Sequence, residues 1–212
     1  EKASARGRDV VGLAQWVRHL EGWRRLALAA VAGALSVLAM APFHWWWVLC
    51  ATLPVLVWLI DGKDRDPSPK RGAFAAGWAW GFGYFFFGLY WIGEAFLVEA
   101  EVFAWLLPFA VTVMPAGLAL FFGAATAVAR TWWPGGFARV VVLAVALGVA
   151  EWLRGHILTG FPWNVLGYAL AFDLATMQSA GVLGIYGLTL VAVAGLAAPL
   201  VLVADGARRA PL

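Results

Sequence analysis

The sequence predicts an all-α integral membrane protein: a bundle of about six transmembrane helices, with a re-entrant or interfacial segment on the outer face between helices 5 and 6. Three observations predict it. Hydrophobic residues make up 63% of the 212 and charged residues 13%, about half the charged share of an ordinary soluble domain, and the mean hydropathy is +0.82. The apolar residues gather into runs that approach or exceed the roughly 20 helical residues needed to cross a hydrocarbon core of about 30 Å. Lys and Arg fall between the runs in alternating number: six in the N-terminal stretch, then none, four, none, two and one in successive connections, and two at the C-terminus. That alternation is the positive-inside pattern, and it predicts six spans with both chain ends in the cytoplasm.

Composition excludes other classes. The pI is 9.4, but a net charge of +3 spread over several loops makes no basic stripe, so nucleic acid is not an expected partner. Cys50 is the single cysteine; it excludes an internal disulfide and lies in an apolar run, where a thiol is a small inert hydrophobe. No His or Cys set has metal-ligand spacing, so no metal or cofactor is expected, and His19 and His156 read as surface imidazoles. The runs carry no Asp, Glu, Lys or Arg near their centres, which weighs against an ion-coupled transporter.

Taken in order, residues 1–22 are a basic cytoplasmic tail, residues 23–206 the six-helix membrane domain, and residues 207–212 a second cytoplasmic tail. The first run, Leu26 to Ala41, ends in Ala39-Met40-Ala41 and imitates a signal-peptide cleavage site. Pro42 follows at once and Trp23 lengthens the run, so the helix is expected to be retained. His44 and Trp45-Trp46-Trp47 mark a membrane surface, where indole rings prefer to sit. The second run reaches Ile60 with Pro54 inside it, and Asp61 to Arg71 is a solvated loop. Ala73 to Gly93 is the third run, in which Gly77-x-x-x-Gly81 clears one face for another helix. Tyr90-Trp91 closes it at an interface, and Glu94, Glu99 and Glu101 form an acidic outer loop that either faces water or meets a substrate. The fourth run, Phe103 to Ala129, is a bent helix with Pro108 and Pro115. Arg130, Trp132-Trp133-Pro134 and Arg139 make the next turn. Phe137 to Ala150 is the fifth helix, and Ala180 to Ala204 the sixth.

The stretch from Glu151 to Tyr168 holds the densest chemistry. Glu151 and Arg154 share a face if the helix continues, either as an ion pair at its end or with the Arg154 guanidinium free to meet a phosphate. Thr159, Gly160, Phe161, Pro162, Trp163 and Asn164 form a breaker that no helix passes through. Irregular backbone at membrane depth survives only against protein or a water-filled cavity, so the segment is expected to dip into the interface, with Trp163 and Tyr168 as anchors and Asn164 needing partners for its amide.

Glu151, Arg154-Gly155, Thr159-Gly160-Phe161-Pro162-Trp163 and Gly167-Tyr168, in this order and spacing, resemble the signature of the bacterial apolipoprotein N-acyltransferases. The glycine- and aromatic-rich stretch from Gly77 to Phe96 and Ala41-Pro42 before a tryptophan-rich turn extend the resemblance. It implies an inner-membrane enzyme that moves an acyl chain from a phospholipid to the N-terminal diacylglyceryl-cysteine of a lipoprotein precursor. The family's cysteine, glutamate and lysine act in a nitrilase-like domain outside the membrane, and no catalytic residue is assigned in this chain. The chain is expected to stop short of a further span and that domain, to be inactive alone, and to bind lipid through Glu151, Arg154, Thr159, Phe161, Pro162, Trp163, Asn164, Tyr168, Tyr90, Trp91 and Glu94. The alternative class is a lipid-handling membrane protein without chemistry, such as a flippase or an assembly scaffold.

Overall fold

The computed structural model describes residues 2–62 and 68–209, and within these the side chains from 7 to 206. All regular structure among the described residues is helical. Helix α1 (Lys2–His19) precedes α2 (Gly22–Ser36), which tightens into a 3₁₀ turn at Val37–Ala39. Another 3₁₀ turn, Trp46–Val48, opens α3 (Leu49–Asp61), and α4 (Pro69–Gly88) follows. The next connection is itself helical: a 3₁₀ stretch Tyr90–Leu97, the short α5 (Ala100–Phe103) and a turn at Ala104–Leu106 lead into α6 (Leu107–Ala129). Then come α7 (Phe137–His156), a 3₁₀ turn Leu166–Leu170, the short α8 (Leu174–Gln178) and α9 (Ala180–Arg209), which kinks at Gly184 (φ 67°).

Three stretches are long and apolar enough to cross a bilayer: Gly22–Ala39, Ala100–Trp132 and Ala180–Gly206. The apolar stretch Trp46–Asp61 is shorter. Helix α4 has 20 residues but begins with Lys70 and Arg71, and α7, also of 20, carries Arg139, Glu151 and Arg154. Only 22% of the most apolar window of Ala100–Trp132 is buried inside the protein, so the rest of that surface must be solvated by something other than water.

Several expected boundaries shift for local reasons. The expected N-terminal tail is helical over Lys2–His19, which packs on α3 and α9 with Ala14 and Val17 buried. The third run ends as a helix at Gly88, five residues early, and Tyr90 and Trp91 fall in the 3₁₀ stretch beyond it. The fourth run is broken: α6 begins only at Leu107, with Pro108 in its first turn, where a missing N–H costs nothing. Lys63 and Arg65 of the expected loop, and positions 210–212 of the expected C-terminal tail, lie outside the described residues.

Glycines set how closely the central helices pack. A Cβ at Gly77 would stand 2.1 Å from Thr126 Oγ1, and one at Gly81 2.8 Å from the Phe122 ring, so this face of α4 admits α6. On its other side, a Cβ at Gly83 would lie 2.0 Å from the Ala30 carbonyl oxygen, and one at Gly33 1.8 Å from that of Trp80. Helix α4 is thus sandwiched between α2 and α6 at backbone contact, the geometry small residues allow in membrane bundles. The Thr126 hydroxyl donates to the Ala73 carbonyl across the gap at 2.8 Å, and Trp80, Tyr84, Phe85 and Phe122 fill the interior.

One end of the bundle is tied by charge. Asp61 at the end of α3 receives Arg18 at 2.9 Å, Arg139 at 3.3 Å and Trp133 Nε1 at 2.8 Å. Asp205 near the end of α9 takes Arg139 at 2.9 Å and Arg18 at 3.5 Å. Arg25, at the start of α2, donates to the carbonyls of Leu59 at 2.6 Å and Gly72 at 2.8 Å. The base-rich connections therefore gather at one end, leaving the stretch after α7 at the other.

Candidate functional site

At that other end α7 continues through Glu151 and Arg154 to His156, so both side chains point from one helical face, and both are buried (0% and 2% exposed). Glu151 Oε1 accepts the Leu166 N–H at 2.8 Å, and Oε2 accepts the Thr189 hydroxyl at 2.6 Å. The same hydroxyl accepts the Gly167 N–H at 3.0 Å. One carboxylate and one threonine thereby fix the 3₁₀ turn Leu166–Leu170 between α7 and α9. Gly167 is required there, since a Cβ would lie 2.4 Å from the Ile185 carbonyl oxygen.

Arg154 does for the breaker what Glu151 does for the turn. Its Nη1 donates to the carbonyls of Phe161 at 2.5 Å and Trp163 at 2.7 Å, its guanidinium lies 4.9 Å from the Phe85 ring centroid, and its own carbonyl accepts the Phe161 N–H at 2.8 Å. Among the described residues no salt bridge joins it to Glu151. The ion-pair alternative for these two residues is thus replaced by two separate charge-to-backbone clamps. Burying a charge is costly unless hydrogen bonds compensate it; backbone carbonyls freed by the broken helix satisfy Arg154 Nη1, while its Nε and Nη2 are buried without a hydrogen-bond partner among the described residues.

The breaker so held borders a cavity of about 670 Å³ lined by Met40, Ala41, His44, Pro162, Trp163, Asn164, Tyr168, Ala171 and Met177, within the size range of ligand pockets. Asn164 adopts φ 52°, a left-handed conformation asparagine tolerates. Its amide nitrogen sits where a Cβ on Gly88 would be, 2.1 Å away. Trp163 and Tyr168 are about half exposed at the cavity.

A family model described as the apolipoprotein N-acyltransferase N-terminal domain matches residues 32–198. The chain belongs to the apolipoprotein N-acyltransferase family. It is 55% identical over 188 residues to the apolipoprotein N-acyltransferase of Rhodopseudomonas palustris, covering 87% of this chain and 35% of that protein. To those of Allorhizobium ampelinum and Rhizobium etli it is 46% and 47% identical, over 93% and 88% of this chain and 38% and 36% of theirs. The chain thus spans little more than a third of the length of these acyltransferases.

The family match contains every candidate lipid-binding residue named from the sequence, but the fold does not gather them all. Pro162, Trp163, Asn164 and Tyr168 line one cavity, and Phe161, Arg154 and Glu151 stand directly behind it. Thr159 is exposed on the turn outside. Tyr90, Trp91 and Glu94 are exposed on the 3₁₀ stretch beside α6 and do not line the cavity. Sequence reasoning missed Thr189, although it is the one hydroxyl besides Tyr186 in the sixth apolar run. It also missed the cavity's far wall, Met40, His44, Ala171 and Met177, which no spacing rule connects to Trp163.

Proposed function

We propose that this chain is the membrane part of an apolipoprotein N-acyltransferase, holding a phospholipid donor and the acyl chains of a lipoprotein precursor beneath an active site supplied by the rest of the protein. In this reading α2, α3, α4, α6, α7 and α9 are six spans of a bacterial inner-membrane protein, with residues 1–22 and 207–212 cytoplasmic and the segment between α7 and α9 re-entrant from the outer face. The observation that carries it is the cavity beside Trp163, whose wall is pinned from behind by Arg154. Pro162, Trp163 and Tyr168 offer apolar and aromatic surface to lipid, and Asn164 offers an amide to an ester or headgroup. Phe161 and Thr159 complete the turn; Tyr90 and Trp91 anchor the separate 3₁₀ stretch beside α6 at headgroup level, and Glu94 adds negative charge there. Glu151 and Arg154 are positioning residues. An enclosed guanidinium already holding two carbonyls shapes the wall rather than meeting a phosphate first.

The test is reconstitution of the chain in vesicles with a spin-labelled phospholipid. The chain should retain lipid at the cavity, lose most of that retention on Trp163→Ala or Arg154→Ala, and catalyse no acyl transfer to a diacylglyceryl-cysteine peptide. Turnover by the chain alone, or retention indifferent to both substitutions, overturns the proposal.

A further inference from the structure

The outward face of α7 carries a ridge, Val145, Val149 and Trp152, each about half exposed, with a groove on either side. The groove toward α6 has a volume of about 520 Å³; Phe121, Ala125, Val128, Ala146 and Ala150 hollow it out, and its lining is almost wholly carbon. The groove toward α9 is about 260 Å³, between Gly148, Tyr186 and Leu190. Both are bounded by Val145 and Val149, and neither shares a residue with the cavity beside Trp163. The wider groove runs along α7 from Val141 to Leu153, about 18 Å at 1.5 Å per residue, which is the length of a membrane acyl chain.

The narrower groove takes in Trp152 and Tyr186 of one polar cluster, and the wider groove ends at Leu153, next to Trp152 in the chain. The His156 ring stacks on Trp152 with centroids 4.6 Å apart and lies 5.8 Å from the Tyr186 ring, and indole and phenol rings favour the headgroup level. His156 Nδ1 is 2.7 Å from the Trp152 carbonyl oxygen. A carbonyl only accepts, so Nδ1 carries the proton, and in the tautomer protonated there alone Nε2 of this exposed ring is an acceptor. Two narrow grooves parted by a valine ridge suit two chains. A helix, roughly 10 Å across, needs one broad groove.

We propose that a bilayer phospholipid straddles α7 here, one acyl chain in each groove, with a donor-bearing headgroup, an ammonium or a hydroxyl, on His156 Nε2. The site is distinct from the one proposed beside Trp163 and rests only on α7 crossing the bilayer. The chain in nanodiscs would be irradiated with phospholipids carrying a diazirine in one acyl chain, and labelled peptides mapped. Label should concentrate between Val145 and Leu153 and on Phe121 to Val128, above that on Val113 and Leu120 of α6. Ethanolamine and glycerol headgroups should outcompete choline by about two- to tenfold, the worth of one hydrogen bond. His156→Ala, a surface change, should abolish that preference and keep the label. Val149→Trp, which fills both grooves, should remove the label for every headgroup. Uniform labelling of all membrane-facing helices, or a preference that survives His156→Ala, overturns the proposal. Label at Trp163 and Tyr168 is scored separately and reports on the other site.

Discussion

Glu151 and Arg154 stand three residues apart on α7, yet each serves a different piece of backbone. That division gives two buried ionisable side chains separate hydrogen-bond partners at the end of an apolar helix. It also makes Thr189 the keystone of the turn, because its hydroxyl both donates to Glu151 and accepts from Gly167. Thr189→Val keeps the shape and removes both bonds, so it should destabilise by about 1–3 kcal/mol, seen as earlier thermal unfolding and faster amide exchange at Gly167; unchanged exchange there would count against the role. Outside the spans, Asp173 caps α8 by accepting the Thr176 N–H at 3.0 Å, the Thr176 hydroxyl at 2.8 Å and the Ala175 N–H at 2.8 Å. These bonds, those to Thr176 first, hold its carboxyl below the ordinary aspartate range. A depressed carboxyl contributes stability above its unfolded value and loses it as pH falls through the folded one. Amide exchange at Ala175 and Thr176 should therefore speed up only on strong acidification, and Asp173→Asn should flatten that response.

Helix α4 shows how side-chain size governs the packing of neighbours. Gly77-x-x-x-Gly81 was expected to clear a face for another helix, and α6 is the helix that comes in, with Thr126 nearly touching Gly77. The glycines on the opposite side, Gly83 with Gly33 of α2, follow no such motif in one helix, because the contact is built by one glycine from each partner. Gly77→Val places methyl groups against Thr126 and the Phe122 carbonyl and should cost about 1–3 kcal/mol by overpacking. Gly117→Ala meets open space and should be close to neutral, so comparing their thermal midpoints in detergent separates packing from a generic loss of glycine. The breaks in the elements are equally physical: the kink at Gly184 needs a positive φ that a chiral side chain resists.

Across the bundle the two ends differ in kind. One is closed by Arg18, Asp61, Arg139 and Asp205, which join α1, α3, α7 and α9; the other is held by charges that grip irregular backbone and leave a cavity. The Asp61 side chain is 14% exposed, so replacing it should cost about 2 kcal/mol, between the worth of a surface pair and of a buried one. Asp61→Asn should free α1 first, measured as protease sensitivity near Trp16 while the helices of the bundle stay protected. Equal loss of protection throughout would mean that α1 is integral to the bundle rather than latched to it.

The amino-acid sequence alone determined the helical class, the apolar runs, the segregation of bases to alternate connections and the breaker from Thr159 to Asn164. These depend on composition and on neighbours a few residues apart, where hydropathy and proline geometry act locally. Only the tertiary structure decided that residues Lys2–His19 dock, that Glu151 and Arg154 clamp separate backbone segments, and that Met40 and His44 face Trp163 while Tyr90, Trp91 and Glu94 stand elsewhere. Those outcomes turn on contacts between segments distant along the chain, as with Glu151 and Thr189, 38 positions apart. A buried charge takes whichever unpaired backbone group the packing brings to it, and one-dimensional spacing does not encode which that is.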